Sequence, residues 1–110
     1  MSFMEGQGVL GIIPFVDGKI PEYERTYLVV TVTVDYIEVL NVSSIRGKER
    51  KLAFPTNEIL RMFNPPFLKP SFVKLDSLTR VSNSEQLELK TLCSGKRLDE
   101  NELSRIKSLL

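Results

Sequence analysis

Phe67-Leu68-Lys69-Pro70-Ser71-Phe72-Val73-Lys74-Leu75-Asp76-Ser77-Leu78-Thr79-Arg80-Val81 is the stretch on which the chain declares itself a β protein. From Ser71 onward its side chains alternate: Val73, Leu75 and Ser77 fall on one face, Phe72, Lys74 and Asp76 on the other. A period of two marks a half-buried strand. Pro70 stands at its start, the position where a ladder tolerates a residue without an N–H. The residues before it read as short strands and loops. Those after it read as one more strand and a terminal helix.

Upstream, residues 8–15 are a short apolar run with the composition of a first strand, in which Gly8 and Gly11 permit tight bending and Pro14 sets the end at a sheet edge. Residues 16–24 carry Asp17-Gly18 and then Pro21 among acids, and predict an exposed loop. Residues 26–32 and 36–43 are dense in Val, Ile, Thr and Tyr and predict two strands that close as a hairpin near residues 33–35. Residues 44–51 are the most basic window, with Arg46, Lys48, Arg50 and Lys51 around Gly47. Beyond them we expect a short strand at residues 52–54, a single helical turn at residues 56–62 capped by Thr56, and an extended approach through Asn64-Pro65-Pro66.

Downstream, Ser82-Asn83-Ser84 is a turn cluster, Leu87, Leu89 and Thr91 share one face of a further strand, and Gly95 turns the chain. Asp99 has the position of a helix cap, Glu102 stands three residues later to answer it, and Leu98 and Leu103 are spaced as a hydrophobic staple. Leu103, Ile106, Leu109 and Leu110 form the helix's apolar face. Short strands in succession with one terminal helix argue against a parallel sheet. The expected fold is mainly β, a small antiparallel barrel with a C-terminal helix, in a single domain over residues 1–110.

Fifteen Lys and Arg against fourteen Asp and Glu leave a net charge of +1, so nucleic-acid binding would have to come from a local patch. A lone Cys93 excludes an intrachain disulfide and a cysteine zinc cluster, and fits a reducing compartment. The absence of histidine excludes imidazole triads and histidine-bound metals. Neither nucleotide fingerprint nor a calcium loop is present, and no metal or cofactor is expected. With no signal-peptide pattern and no membrane-length apolar run, the expected location is the cytoplasm, without a membrane partner.

Chemistry is left to arginine, lysine and hydroxyls. Arg25 sits where an acidic loop meets a strand, so its guanidinium either pairs with Glu22 or Glu24 at the surface or is aimed into a cleft. Ser43 and Ser44 end an apolar strand beside the basic loop, as turn formers or as catalytic groups. The loop itself is either a solvated hairpin tip or a phosphate contact.

The order of features resembles the MazF/PemK family of bacterial toxins. The resemblance runs from about Gly8 to Leu110 and rests on Arg25-Thr26-Tyr27-Leu28-Val29-Val30, on Val42-Ser43-Ser44, on Lys69-Pro70-Ser71-Phe72-Val73-Lys74-Leu75-Asp76-Ser77-Leu78, and on the closing Gly95-Lys96-Arg97-Leu98-Asp99-Glu100-Asn101-Glu102-Leu103. It implies an SH3-like barrel that assembles as a homodimer and cuts single-stranded RNA sequence-selectively without a metal, leaving 2′,3′-cyclic phosphate and 5′-hydroxyl ends. It also implies a cognate antitoxin that covers the cleft.

By the same resemblance the catalytic arginine maps onto Arg25 and the catalytic threonine onto Ser43, with Ser44 next to it. Arg46, Lys48, Arg50 and Lys51 would hold the RNA backbone and Tyr23 would stack on an unpaired base. Two other readings stand beside this one: a toxin of the same fold that poisons DNA gyrase by binding alone, and a non-catalytic SH3-like interaction module. The absence of tryptophan and the scattered tyrosines disfavour the module, whose grooves are lined by aromatics.

Overall fold

The computed structural model describes residues 3–15 and 17–110; Met1, Ser2 and Val16, the first residue of the loop expected over residues 16–24, lie outside the described residues. Among the described residues seven strands follow one another: β1 (Gly8–Gly11), β2 (Arg25–Val32), β3 (Tyr36–Ser44), β4 (Asn57–Ile59), β5 (Ser71–Lys74), β6 (Thr79–Ser82) and β7 (Lys90–Thr91). The helix α1 (Glu100–Ser108) comes last. The fold is mainly β, an antiparallel sheet with one C-terminal helix, and its strand order is β4-β5-β3-β2-β1-β7 with β6 beside β3. Among the described residues no ladder joins β4 to β7, so the pairings describe a sheet and not a closed ring.

β3 is the hub. β2 runs along one of its edges, while β5 and β6 share the other. The stretch read as one strand from Ser71 is therefore two, both paired to β3. Val42 faces Val73 and Val39 faces Thr79, so three steps along β3 correspond to six along its partner. The 3₁₀ turn Leu75–Ser77 takes up the surplus. The interruption would orphan the Asn41 N–H, but Ser77 Oγ accepts it at 2.8 Å and donates to the Lys74 carbonyl at 2.6 Å. A buried N–H left unpaired costs about 1–3 kcal/mol.

The β2–β3 hairpin closes at the expected place without glycine or asparagine. Thr33 N–H donates to the Tyr36 carbonyl at 2.9 Å, and Thr33 Oγ1 accepts from the N–H groups of Asp35 and Tyr36. Each face of the sheet carries its own apolar cluster. Leu28, Val30, Leu40, Val42 and Val73 pack with Phe67, Leu98, Leu103 and Ile106 under α1. Val9, Tyr27, Val29, Ile37, Val39 and Val81 pack with Phe3, Ile13 and Leu89 on the other side. Full burial of one such aliphatic side chain stabilises by about 1.5–3 kcal/mol.

Several local expectations give way to tertiary pairing. Residues 52–54 lie at the end of a 3₁₀ turn, Glu49–Ala53, and the helical turn expected over residues 56–62 is instead strand β4, held by the open edge of β5. Asn64-Pro65-Pro66 is a turn and not an extended approach, closed by Phe67 N–H donating to the Phe63 carbonyl at 2.8 Å. Leu87 lies in the 3₁₀ turn Glu85–Glu88, leaving only Lys90–Thr91 as strand. Gly8 and Gly11 serve close approach: a Cβ on Gly11 would lie 2.5 Å from Leu89 Cδ2, and one on Gly8 would lie 2.9 Å from Pro66 Cγ.

The helix begins as expected. Asp99 accepts the Glu102 N–H at 3.0 Å, and Leu98 and Leu103 are both buried in the cluster under α1. Glu102 does not complete a capping box, because its carboxylate is engaged by Arg61, Met62 and Arg105. Leu109 and Leu110 lie beyond the last helical residue and are about half exposed, so the apolar face is carried by Leu103 and Ile106.

Candidate active site

Toward the start of β2 and the end of β3, the second face of the sheet changes from apolar to polar. Alternation carries that face through Val29, Tyr27 and Arg25 on β2 and through Ile37, Val39, Asn41 and Ser43 on β3. Since Thr26 faces Val42 and Tyr27 faces Asn41, Arg25 stands level with Ser43. Phe72 faces Ser43 from the other side, and Lys74 follows it on the same face of β5. Three neighbouring strands thus bring a guanidinium, a hydroxyl and an amine to one patch.

Arg25 does not form the surface ion pair considered for it. Among the described residues no carboxylate pairs with it, and Glu22 and Glu24 are exposed. Its guanidinium lies over the rings of Tyr23, 4.9 Å to the centroid, and Phe15, 5.2 Å, and Nη2 donates to the Tyr23 hydroxyl at 3.4 Å. Each such cation–π contact contributes about 0.5–1 kcal/mol. The rings fix the plane of a group that carries five N–H donors. Its Nε is buried and has no hydrogen-bond partner among the described residues.

Asn41 is a second polar group with unused capacity. It is 7% exposed, its Nδ2 donates to the Thr26 carbonyl at 3.5 Å, and its Oδ1 is buried without a partner among the described residues. Beside it Tyr27 is buried, and burial raises its pKa against the opposing pull of the Arg25 charge and the Ile13 backbone.

Ser43 and Ser44 part company. Ser43 is buried on the Arg25 face. Ser44 points to the opposite face, where it lines a separate cleft with Thr26, Phe67, Leu92 and Cys93. Consecutive strand residues cannot share a face, so the structure brings Ser43 and not Ser44 beside Arg25.

The basic loop contributes part of itself. Glu49 accepts the Gly47 N–H at 3.0 Å and bends the loop back. Burial first, then the charges of Lys51, Arg25 and Lys48, lower the pKa of Lys74 below its ordinary value, with Asp76 pulling the other way. Lys48 and Lys51 therefore belong to the same cationic field as Arg25 and Lys74, while Arg46 and Arg50 are exposed and are not among the cations acting on Lys74. Tyr23 is 62% exposed and borders the field from the Arg25 side.

Lys74 and Asn41 are absent from the candidates read off the sequence. The signals were there: alternation puts Lys74 on the face of Phe72, and Asn41 is a lone amide inside an apolar strand. Among the described residues no three His, Cys, Asp or Glu side chains gather as metal ligands would, and no helix is long and apolar enough to cross a membrane. No protein-family model matches the sequence, and no curated protein matches it.

Proposed function

We propose that this chain is an endoribonuclease toxin of the MazF/PemK kind, cutting single-stranded RNA by attack of a ribose 2′-hydroxyl on the adjacent phosphate. One observation carries the reading: Arg25 and Ser43 stand level on neighbouring strands, with Arg25 unpaired by any described carboxylate and its charge, like those of Lys48 and Lys51, felt at Lys74. As the 2′-oxygen attacks, negative charge builds on the non-bridging oxygens. A guanidinium and a hydroxyl fixed in place donate hydrogen bonds to that charge, and each such donor contributes about 3 kcal/mol to the transition state. Arg25 acts as a permanent cation, since arginine does not deprotonate in proteins. Lys48 and Lys51 take flanking phosphates, Arg46 and Arg50 extend the contact outward, and Tyr23 offers a face for an unpaired base. The protein works in the cytoplasm as a homodimer, with a cognate antitoxin to cover the cleft.

The test is incubation of the purified protein with a long single-stranded RNA in excess EDTA, followed by mapping of fragment ends. Discrete cuts with 2′,3′-cyclic phosphate and 5′-hydroxyl ends are expected. Intact RNA, or fragments with 5′-phosphate ends, refutes the reading.

A further inference from the structure

The rings of Phe15 and Tyr23 hold Arg25, and stacking fixes the plane of a guanidinium without fixing its rotation within that plane. Only a long hydrogen bond bears on the rotation among the described residues, from Nη2 to the hydroxyl of the exposed Tyr23 at 3.4 Å. Rotation matters because a guanidinium grips two oxygens of a phosphate only when a forked edge faces them. Nε is buried, so the edge left for phosphate is the one formed by Nη1 and Nη2.

Among the described residues two buried side-chain polar atoms have no partner, Arg25 Nε and Asn41 Oδ1. One is a donor and the other an acceptor. Arg25 stands level with Ser43, and Asn41 precedes Ser43 by two residues on the same face of β3. Such diagonal neighbours are rooted about 7–8 Å apart, within reach of a long side chain. The Asn41 amide leans toward β2, where Nδ2 donates at 3.5 Å to the carbonyl of Thr26, the residue next to Arg25. That contact also makes the oxygen the free end of the amide.

Both unpaired atoms are closed to solvent, so RNA laid on the surface reaches neither. Their partners must come from within the protein. The Tyr27 hydroxyl lies against the Ile13 backbone, and no described carboxylate pairs with Arg25. A buried acceptor without a donor is costly, and at 7% exposure on the face of Ile37 and Val39 an aliphatic side chain would serve the core better than Asn41.

We infer that Asn41 is the positioning residue for Arg25: with RNA bound, Asn41 Oδ1 accepts the Arg25 Nε–H and turns the Nη1–Nη2 edge to the phosphate. The phosphate replaces the long bond to Tyr23, and the rings keep the plane throughout. Asn41 touches no part of the RNA. This role rests on the ribonuclease reading and adds to it the residue that aligns the catalytic cation.

Two measurements test it. The first is NMR of the arginine Nε–H groups, with the Arg25 signal assigned by its loss in Arg25→Lys. In wild type saturated with an uncleavable 2′-deoxy oligonucleotide, the Arg25 Nε–H is expected to exchange with water more slowly than in the free protein. Asn41→Leu, which keeps the bulk and removes the acceptor, abolishes the slowing, and Asn41→Asp, which keeps an acceptor, preserves it. The second is single-turnover cleavage at saturating RNA. Asn41→Leu is expected to cut about 10–100-fold more slowly while binding the 2′-deoxy oligonucleotide as wild type does.

An Arg25 Nε–H whose exchange the oligonucleotide leaves unchanged in wild type overturns the inference, whether or not the Leu variant folds. So does Asn41→Leu cutting at the wild-type rate, or losing oligonucleotide affinity with its rate at saturation intact. Wild-type protein that leaves RNA intact removes the ribonuclease reading and this inference together, whereas a fully active Asn41→Leu variant removes the inference alone.

Discussion

Glu102→Gln tests how the helix is fastened to the sheet. Glu102 is 5% exposed, yet its carboxylate accepts from the N–H groups of Arg61 and Met62 and from Arg105 Nε at 2.7 Å and Nη2 at 3.0 Å. Arg105 in turn reaches Glu58 at 2.6 Å and the Ile59 carbonyl at 2.9 Å, which ties α1 to β4. The amide keeps the shape of the side chain but loses the charge, and its NH₂ end has no acceptor among those donors. Removing one partner of a buried ion pair costs roughly 3–5 kcal/mol. We place this case at about 3 kcal/mol, because Arg105 retains Glu58 and its side chain is 21% exposed. That is a large share of the roughly 5–15 kcal/mol that holds a domain folded.

The assay is urea denaturation, in which the midpoint falls while the slope stays constant. A pH series supplies the sign. The hydrogen bonds from Arg105, opposed by burial and helped by the Arg61 and Met62 N–H groups, hold the Glu102 pKa below the usual carboxylate value. Its contribution is complete above the unfolded pKa of about 4.3 and disappears as pH falls through the lower folded value. The gap between wild type and variant therefore narrows on acidification. A loss of under about 1 kcal/mol, the range of an exposed pair, or a gap that ignores pH refutes the reasoning.

Three further outcomes are expected from the sheet. Ser44→Ala leaves RNA cleavage unchanged in single-turnover assays, because Ser44 points away from Arg25. Replacing Lys48 and Lys51 together by alanine weakens RNA binding and lowers the slope of log K against log salt by about 1.4, the value for two lost contacts to a single strand. Gly11→Ala destabilises by about 1–3 kcal/mol in thermal or urea unfolding, because the added Cβ meets Leu89 Cδ2 in a filled core.

The legible parts of the fold were those whose local pattern and tertiary setting agree. The β2–β3 hairpin, the Asp99 cap and the Leu98–Leu103 staple are all set by neighbouring residues. Strand β4 is not. Thr56, Glu58 and Leu60 suit a helical turn as well as a strand, and only the open edge of β5 decides between them. The division of the Ser71–Val81 stretch into β5 and β6 was hidden for a related reason: Ser77 is placed by the Asn41 N–H, a partner 36 residues away.

The candidate site divides in the same way. Arg25 and Ser43 were named from the order of features, and the register sets them level. Ser43 and Ser44 are adjacent in sequence, and only the side-chain period, applied to the right strand, separates them. Lys74 escaped because a lysine in an amphipathic strand normally faces solvent. Its membership in the cationic field depends on Lys48 and Lys51 folding back from another segment.

The most direct test of the central claim is a double-mutant cycle of single-turnover RNA cleavage in EDTA, with wild type, Arg25→Ala, Ser43→Ala and the double variant. Two donors to one phosphate give a loss of about a hundredfold or more for each single change and a double variant slower than either but faster than the product of the two losses. Single variants that cut at the wild-type rate, each still folded, would contradict the placement of the site on these two residues.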